Sequence, residues 1–105
     1  MEINANEKNP MLGKVCVFRT YSAGVHVGTL EFKEGRECLV KDSRRIWYWK
    51  GACSLSQIAV DGSKNIDECQ IAMKVPEIWL TEVIEIIPMS NDAIKVIFNA
   101  PEWKK

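Results

Sequence analysis

KVCVFRTYSAGVHVGTLEF, residues 14–32, decides the fold class. Residues 14–20 are rich in β-branched and aromatic side chains, which fit a pleated, half-buried surface. Tyr21-Ser22-Ala23-Gly24 then reverses the chain, because Gly24 can take positive φ at no steric cost. Residues 25–32 alternate, with Val25, Val27, Thr29 and Glu31 on one face and His26, Gly28, Leu30 and Phe32 on the other. Two strands around a tight turn predict an antiparallel hairpin. Gly28 leaves a gap beside His26, where something can approach the sheet.

Outward from the hairpin, the turn at Lys33-Glu34-Gly35-Arg36 leads to a short strand, residues 37–41. Asp42-Ser43 reads as a turn into a further strand, residues 44–50, so the first half is a meander. Ser54 and Gln57 then match a capping box, predicting a helix of about two turns to Val60 with Gly62 placed to end it. Residues 61–68 are a polar connection, and a strand follows near residues 70–75. The longest strand expected is IWLTEVIEII, residues 78–87. Both of its faces are largely apolar, which implies core on one side and a helix or another subunit on the other. Pro88 halts pairing, Ser90 or Asn91 caps a last helix with Ala93, Ile94, Ile97 and Phe98 as its apolar stripe, and Pro101 ends it. The expected fold is α+β, mainly β: a small bent antiparallel sheet, barrel or sandwich with two short helices. It occupies residues 14–105 as a single domain, after a flexible N-terminal tail of residues 1–13.

Composition sets the outer limits. A chain of 105 residues, 47% hydrophobic and 27% charged, suits one globular domain with one core. Its apolar runs are too short to span a bilayer, and residues 1–13 lack the basic start and apolar stretch of a secretory signal. Fourteen bases balance fourteen acids, so no global field draws long nucleic acid. The charges are unevenly spread, however. Residues 14–50 carry eight bases and four acids, and residues 51–105 carry five bases and eight acids. That asymmetry allows an anion pocket in the first half, or complementary contact between subunits. Cys16, Cys38, Cys53 and Cys69 are widely spaced and the chain has one histidine, so no zinc site and no cofactor is expected. Cys16 and Cys38 lie in apolar runs and are expected as reduced core residues.

The densest chemistry is RRIWYWK, residues 44–50. In a strand, Arg45, Trp47 and Trp49 point one way and Arg44, Ile46, Tyr48 and Lys50 the other, so each face pairs an aromatic ring with a cation. Flat rings beside guanidinium forks suit a ligand with a planar base and phosphates. They equally suit a core tryptophan with surface arginines lying over apolar area. Arg19, Tyr21 and His26 gather near one end of the first hairpin, and Ser22 with Gly24 offers backbone amides around a turn where an anion can rest. A lone histidine held by one neighbour explains His26 as well. No serine or cysteine has an evident histidine and acid, and Glu82 and Glu85 point to opposite strand faces. A binding protein without catalysis is therefore the expectation.

RTYSAGVHVGTL (19–30), RRIWYWKGACSLSQIA (44–59) and LTEVIEIIP (80–88) resemble a family of small proteins encoded mainly by bacteriophages and prophages. The chain is also similar to phage anti-defence sponges of the first Thoeris-inhibitor type, small oligomers that sequester cyclic ADP-ribose-like or cyclic-nucleotide immune signals without cleaving them. The resemblance implies a homo-oligomer in the host cytoplasm holding a small nucleotide ligand. Arg19, Tyr21, Ser22, Gly24, His26, Arg44, Arg45, Trp47 and Trp49 are the candidate ligand residues on the argument from the residues alone. A protein-interaction module anchored by the same aromatic and arginine cluster is the alternative.

Overall fold

A computed structural model of the protein describes residues 9–105. Its strands are β1 (Val15–Thr20), β2 (Val25–Glu34), β3 (Glu37–Tyr48), β4 (Gln70–Ile71), β5 (Val75–Leu80) and β6 (Val83–Pro88). Two helices, α1 (Leu55–Asp61) and α2 (Asn91–Phe98), and a 3-10 turn, Ile66–Glu68, complete the elements. The strands form one antiparallel sheet in the order β4-β3-β2-β1-β6, with β5 also paired to β3. It is a mainly β, α+β fold, and the sheet does not close into a barrel.

Strand alternation produces two cores. Val17, Val27 and Ile46 pack on one face beneath Ile58 and Ala59 of α1 and Ile97 of α2. Cys16, Phe18, Leu30, Cys38 and Val40 pack on the other, closed by Leu80 and Val83. The two cysteines lie inside as expected, and burial pushes the Cys16 thiol up to about 11 and raises that of Cys38. Ser54 Oγ accepts from Gln57 N at 3.2 Å to start α1, while the Gln57 carboxamide oxygen accepts from Cys53 N at 2.7 Å. Ser90 caps α2 by accepting from Ala93 N at 3.0 Å. No helix among the described residues is long and apolar enough to cross a membrane.

Several features differ from the sequence reading, among them the strand expected near residues 70–75, which is β4 followed by a connection and the start of β5. Asp42-Ser43 is not a turn. β3 runs through it, and both residues stand opposite Gly28, since Val27 pairs with Arg44 and Thr29 with Lys41. This is a β-bulge, with Asp42 at φ 50°. The gap at Gly28 is filled by the bulged strand itself: a Cβ there would lie 2.5 Å from Val40 Cγ1 and 2.8 Å from the Lys41 carbonyl oxygen. Residues 78–87 are also two strands, not one. The chain leaves β5, crosses the hairpin ends and enters β6 on the opposite side of the sheet, fixed by Tyr21 N to Glu82 O and Val83 N to Arg36 O, both 2.9 Å. Leu80 and Val83, three residues apart, consequently enter the same core, which an uninterrupted strand forbids. That switch accounts for the apolar character of both faces. Finally, the expected loose tail falls largely on residues 1–8, outside the described residues. Residues 9–13 form a turn with Met11 and Leu12 against the second core and Gly13 N donating to Leu30 O at 2.8 Å.

Candidate functional site

The bulge sets the site. Beyond it, Ser43, Arg45 and Trp47 share the face of β3 that carries His26 of β2, whereas Arg44 and Ile46 turn to the helices. His26 stands directly opposite Arg45 in the ladder. The Arg45 guanidinium lies over the Trp47 ring, 5.1 Å from its centroid. Such a pair contributes about 0.5–1 kcal/mol at an exposed position and presents a flat cationic edge.

Arg45 and Trp47 form a wall shared by two pockets. One, of about 220 Å³, is bounded by His26 and Ser43, with Met73, Val75 and Ile78 as its apolar side. The other, of about 320 Å³, lies against the Ser22-Ala23-Gly24 turn and Trp49. A larger depression of about 490 Å³ between the β2–β3 turn and β6 is open, and none of the unpartnered buried atoms described below belongs to its lining.

Three buried polar atoms around the smaller pocket lack a partner among the described residues: His26 Nδ1, Ser43 Oγ and Arg45 Nε. His26 and Ser43 are fully buried, at 0% and 1% exposure. The imidazole Nε2 lies 2.9 Å from the Ala23 carbonyl oxygen, which only accepts, so Nε2 carries the proton. Burial holds the ring's pKa below its ordinary value, the Ala23 contact opposes this, and the Arg45 charge lowers it further. A neutral ring with its proton on Nε2 leaves the Nδ1 lone pair bare. Each unpartnered buried group of this kind costs about 1–3 kcal/mol, and all three belong to residues that line this one pocket.

Six of the nine expected residues surround these pockets: Ser22, Gly24, Arg45, Trp47 and Trp49 at one, and His26 with Arg45 and Trp47 at the other. Arg44 does not join them. It is 2% exposed, and its guanidinium donates to the carbonyls of Ile71, Ala72, Ile97, Phe98, Ala100 and Pro101. These include the Ile97 and Phe98 carbonyls at the end of α2, where a cation is favoured. Arg19, on the helix-facing side of β1, pairs with Glu85 at 3.3 Å, and Tyr21 is 75% exposed and lines neither pocket. Two amides and the hydroxyl of the Ser22 turn are engaged within the chain. Tyr21 N donates to Glu82 O, Ala23 N to Thr20 Oγ1, and Ser22 Oγ to the Glu82 carboxylate at 3.0 Å, which puts negative charge beside the turn. Sequence reasoning missed Ser43, Met73 and Val75. Ser43 was readable only if 42–43 was recognised as a bulge, Val75 enters by pairing with Ser43, and Met73 enters from the connection between β4 and β5, neither with a local signal.

No curated protein and no solved structure matches the chain. Residues 13–97 match the model of a domain of unknown function, DUF6948, and the chain belongs to that family.

Proposed function

We propose that this protein binds and sequesters a small nucleotide-type signal without cleaving it, as a phage anti-defence sponge acting in the host cytoplasm. The observation that carries the reading is the Arg45–Trp47 pair standing between two adjoining pockets. A nucleotide has a flat ring and an anionic arm, and this wall offers a ring face and a guanidinium to one ligand spanning both. Volumes of this order accept a base on one side and a sugar phosphate on the other. Retention needs a slow off-rate, hence enclosure. Trp47 is 56% exposed and Met73 49%, so a second copy laid over them supplies the cover that one chain lacks. The resemblance in residues 19–30, 44–59 and 80–88 points the same way.

The test is to incubate the full chain with a mixture of signalling nucleotides, heat it, and identify by mass spectrometry what is retained and then released. Intact release of one nucleotide is expected, with retention lost in Arg45→Ala and Trp47→Ala. Release of a cleaved product defeats sequestration and indicates an enzyme.

One arrangement favours a second reading, a protein-interaction module. Trp47 and Trp103 meet edge to face at 6.1 Å, and Tyr48 and Trp103 are half exposed, a grouping suited to a protein hot spot. If no nucleotide is retained while a protein partner binds in a Trp47-dependent manner, this reading replaces the first.

A further inference from the structure

The smaller pocket is bordered by residues that carry one unpartnered acceptor and one unpartnered fixed donor. His26 Nδ1 is a bare lone pair, since Nε2 donates to Ala23 O. Arg45 Nε–H only donates, and Ser43 Oγ between strands does either. His26 faces Arg45 across the ladder and Ser43 precedes Arg45 by two residues on the same face. Cross-strand partners have Cβ atoms about 5 Å apart and i, i+2 neighbours are spaced about 7 Å along a strand, which sets the three side chains along one edge of the pocket. Met73, Val75 and Trp47 form apolar walls around that edge.

Resting on the ligand-binding reading above, we infer that His26, Ser43 and Arg45 read the edge of a neutral heterocycle carrying an N–H donor beside a hydrogen-bond acceptor, as in a lactam or amidine. The ligand N–H, on the ring in a lactam and exocyclic in an amidine, meets His26 Nδ1, the acceptor meets Arg45 Nε–H, and Ser43 Oγ closes the set. The ligand's orientation follows. A phosphate or carboxylate has only lone pairs to offer and meets the His26 lone pair head on, so the anionic arm leaves this pocket past Arg45 toward the one beside Trp49. This assigns base and phosphate to separate pockets, and it selects ligands by hydrogen-bond pattern in addition to ring stacking.

The experiment is calorimetry on the full chain with inosine and adenosine 5′-monophosphates, their donor-blocked forms (1-methylinosine and N6,N6-dimethyladenosine 5′-monophosphates), and ribose 5-phosphate as competitor. At least one parent nucleotide binds, its methylated form binds about tenfold more weakly or worse because a buried acceptor is left unmet, and ribose 5-phosphate does not displace it. Ser43→Ala, which removes only a hydroxyl, weakens the parent about fivefold. Methylated forms binding within twofold of their parents, or displacement by ribose 5-phosphate at equal affinity, overturn the edge assignment and leave the pocket reading standing. If none of these nucleotides binds, the edge assignment falls, and the retention assay on the signalling-nucleotide mixture decides the sequestration reading separately.

Discussion

Arg44 and Arg45 are adjacent in sequence and opposite in role, and the contrast is measurable. Arg44 is sealed beneath α2 with its donors on six backbone carbonyls, while Arg45 lies over Trp47 at the pockets. Arg44→Gln is expected to lower unfolding free energy by about 3 kcal/mol or more, because several buried carbonyls lose their donor at once. Arg45→Gln is expected to change it by less than about 1 kcal/mol and to abolish ligand retention. Urea unfolding of both variants, with the retention assay alongside, separates the two. His26 adds a pH dependence. Its folded pKa is depressed, chiefly by burial, with Arg45 the charged group facing it from β3 and Phe18 its partner on β1. The unfolded chain therefore takes up the proton more readily than the native one. Stability is full above the ordinary histidine value of about 6.5 and falls as pH drops below it. Urea midpoints at descending pH should show that decline, and midpoints that hold level from neutral pH down to the carboxylate range would remove His26 as a buried neutral group. At this scale the sequence showed which residue types mattered but not which arginine of a pair turned inward, because a bulge two residues upstream decides the facing.

Among the elements, legibility follows the range of the signal. Both caps and the first hairpin were readable because a serine hydroxyl, a glycine at positive φ and strict alternation act within a few residues. Ser54→Ala should cost about 1 kcal/mol, read as a lowered thermal midpoint with an unchanged fold by circular dichroism. The bulge in β3 and the break between β5 and β6 were not readable, since each depends on a distant partner. Asp42-Ser43 is accommodated only because Gly28, on another strand, has no side chain, and Thr81-Glu82 breaks the strand because its two halves pair with β3 and β1 separately. Gly28 is accordingly the residue on which the bulge rests. Gly28→Ala would place a methyl 2.5 Å from Val40 Cγ1 and 2.8 Å from backbone. It is expected to cost about 1–3 kcal/mol and to weaken ligand binding as well, because the bulge orients Ser43 and Arg45. A variant of Gly28 with native stability and affinity would show that the bulge is not what places them.

Over the whole molecule, the charge asymmetry of the sequence is met in part within the chain. Arg19–Glu85, Lys41–Glu77 and Lys50–Glu68 each join a base of the first half to an acid of the second. These three pairs do not by themselves call for a second subunit. Apolar exposure does: Trp47, Tyr48, Met73 and Trp103 remain about half exposed, and Trp47 and Met73 line the pockets. If a second copy covers that surface, assembly and ligand binding share one face and are coupled by mass action. Affinity should then fall on dilution below the assembly constant, and ligand should shift the native mass spectrum toward the larger species. Trp103→Ala, outside both pockets but touching Trp47, should weaken assembly first and ligand binding only as a consequence, so its binding defect should shrink as protein concentration rises. A monomer at every concentration with undiminished affinity would place the entire ligand site within one chain, and the exposed tryptophans would then need a different partner.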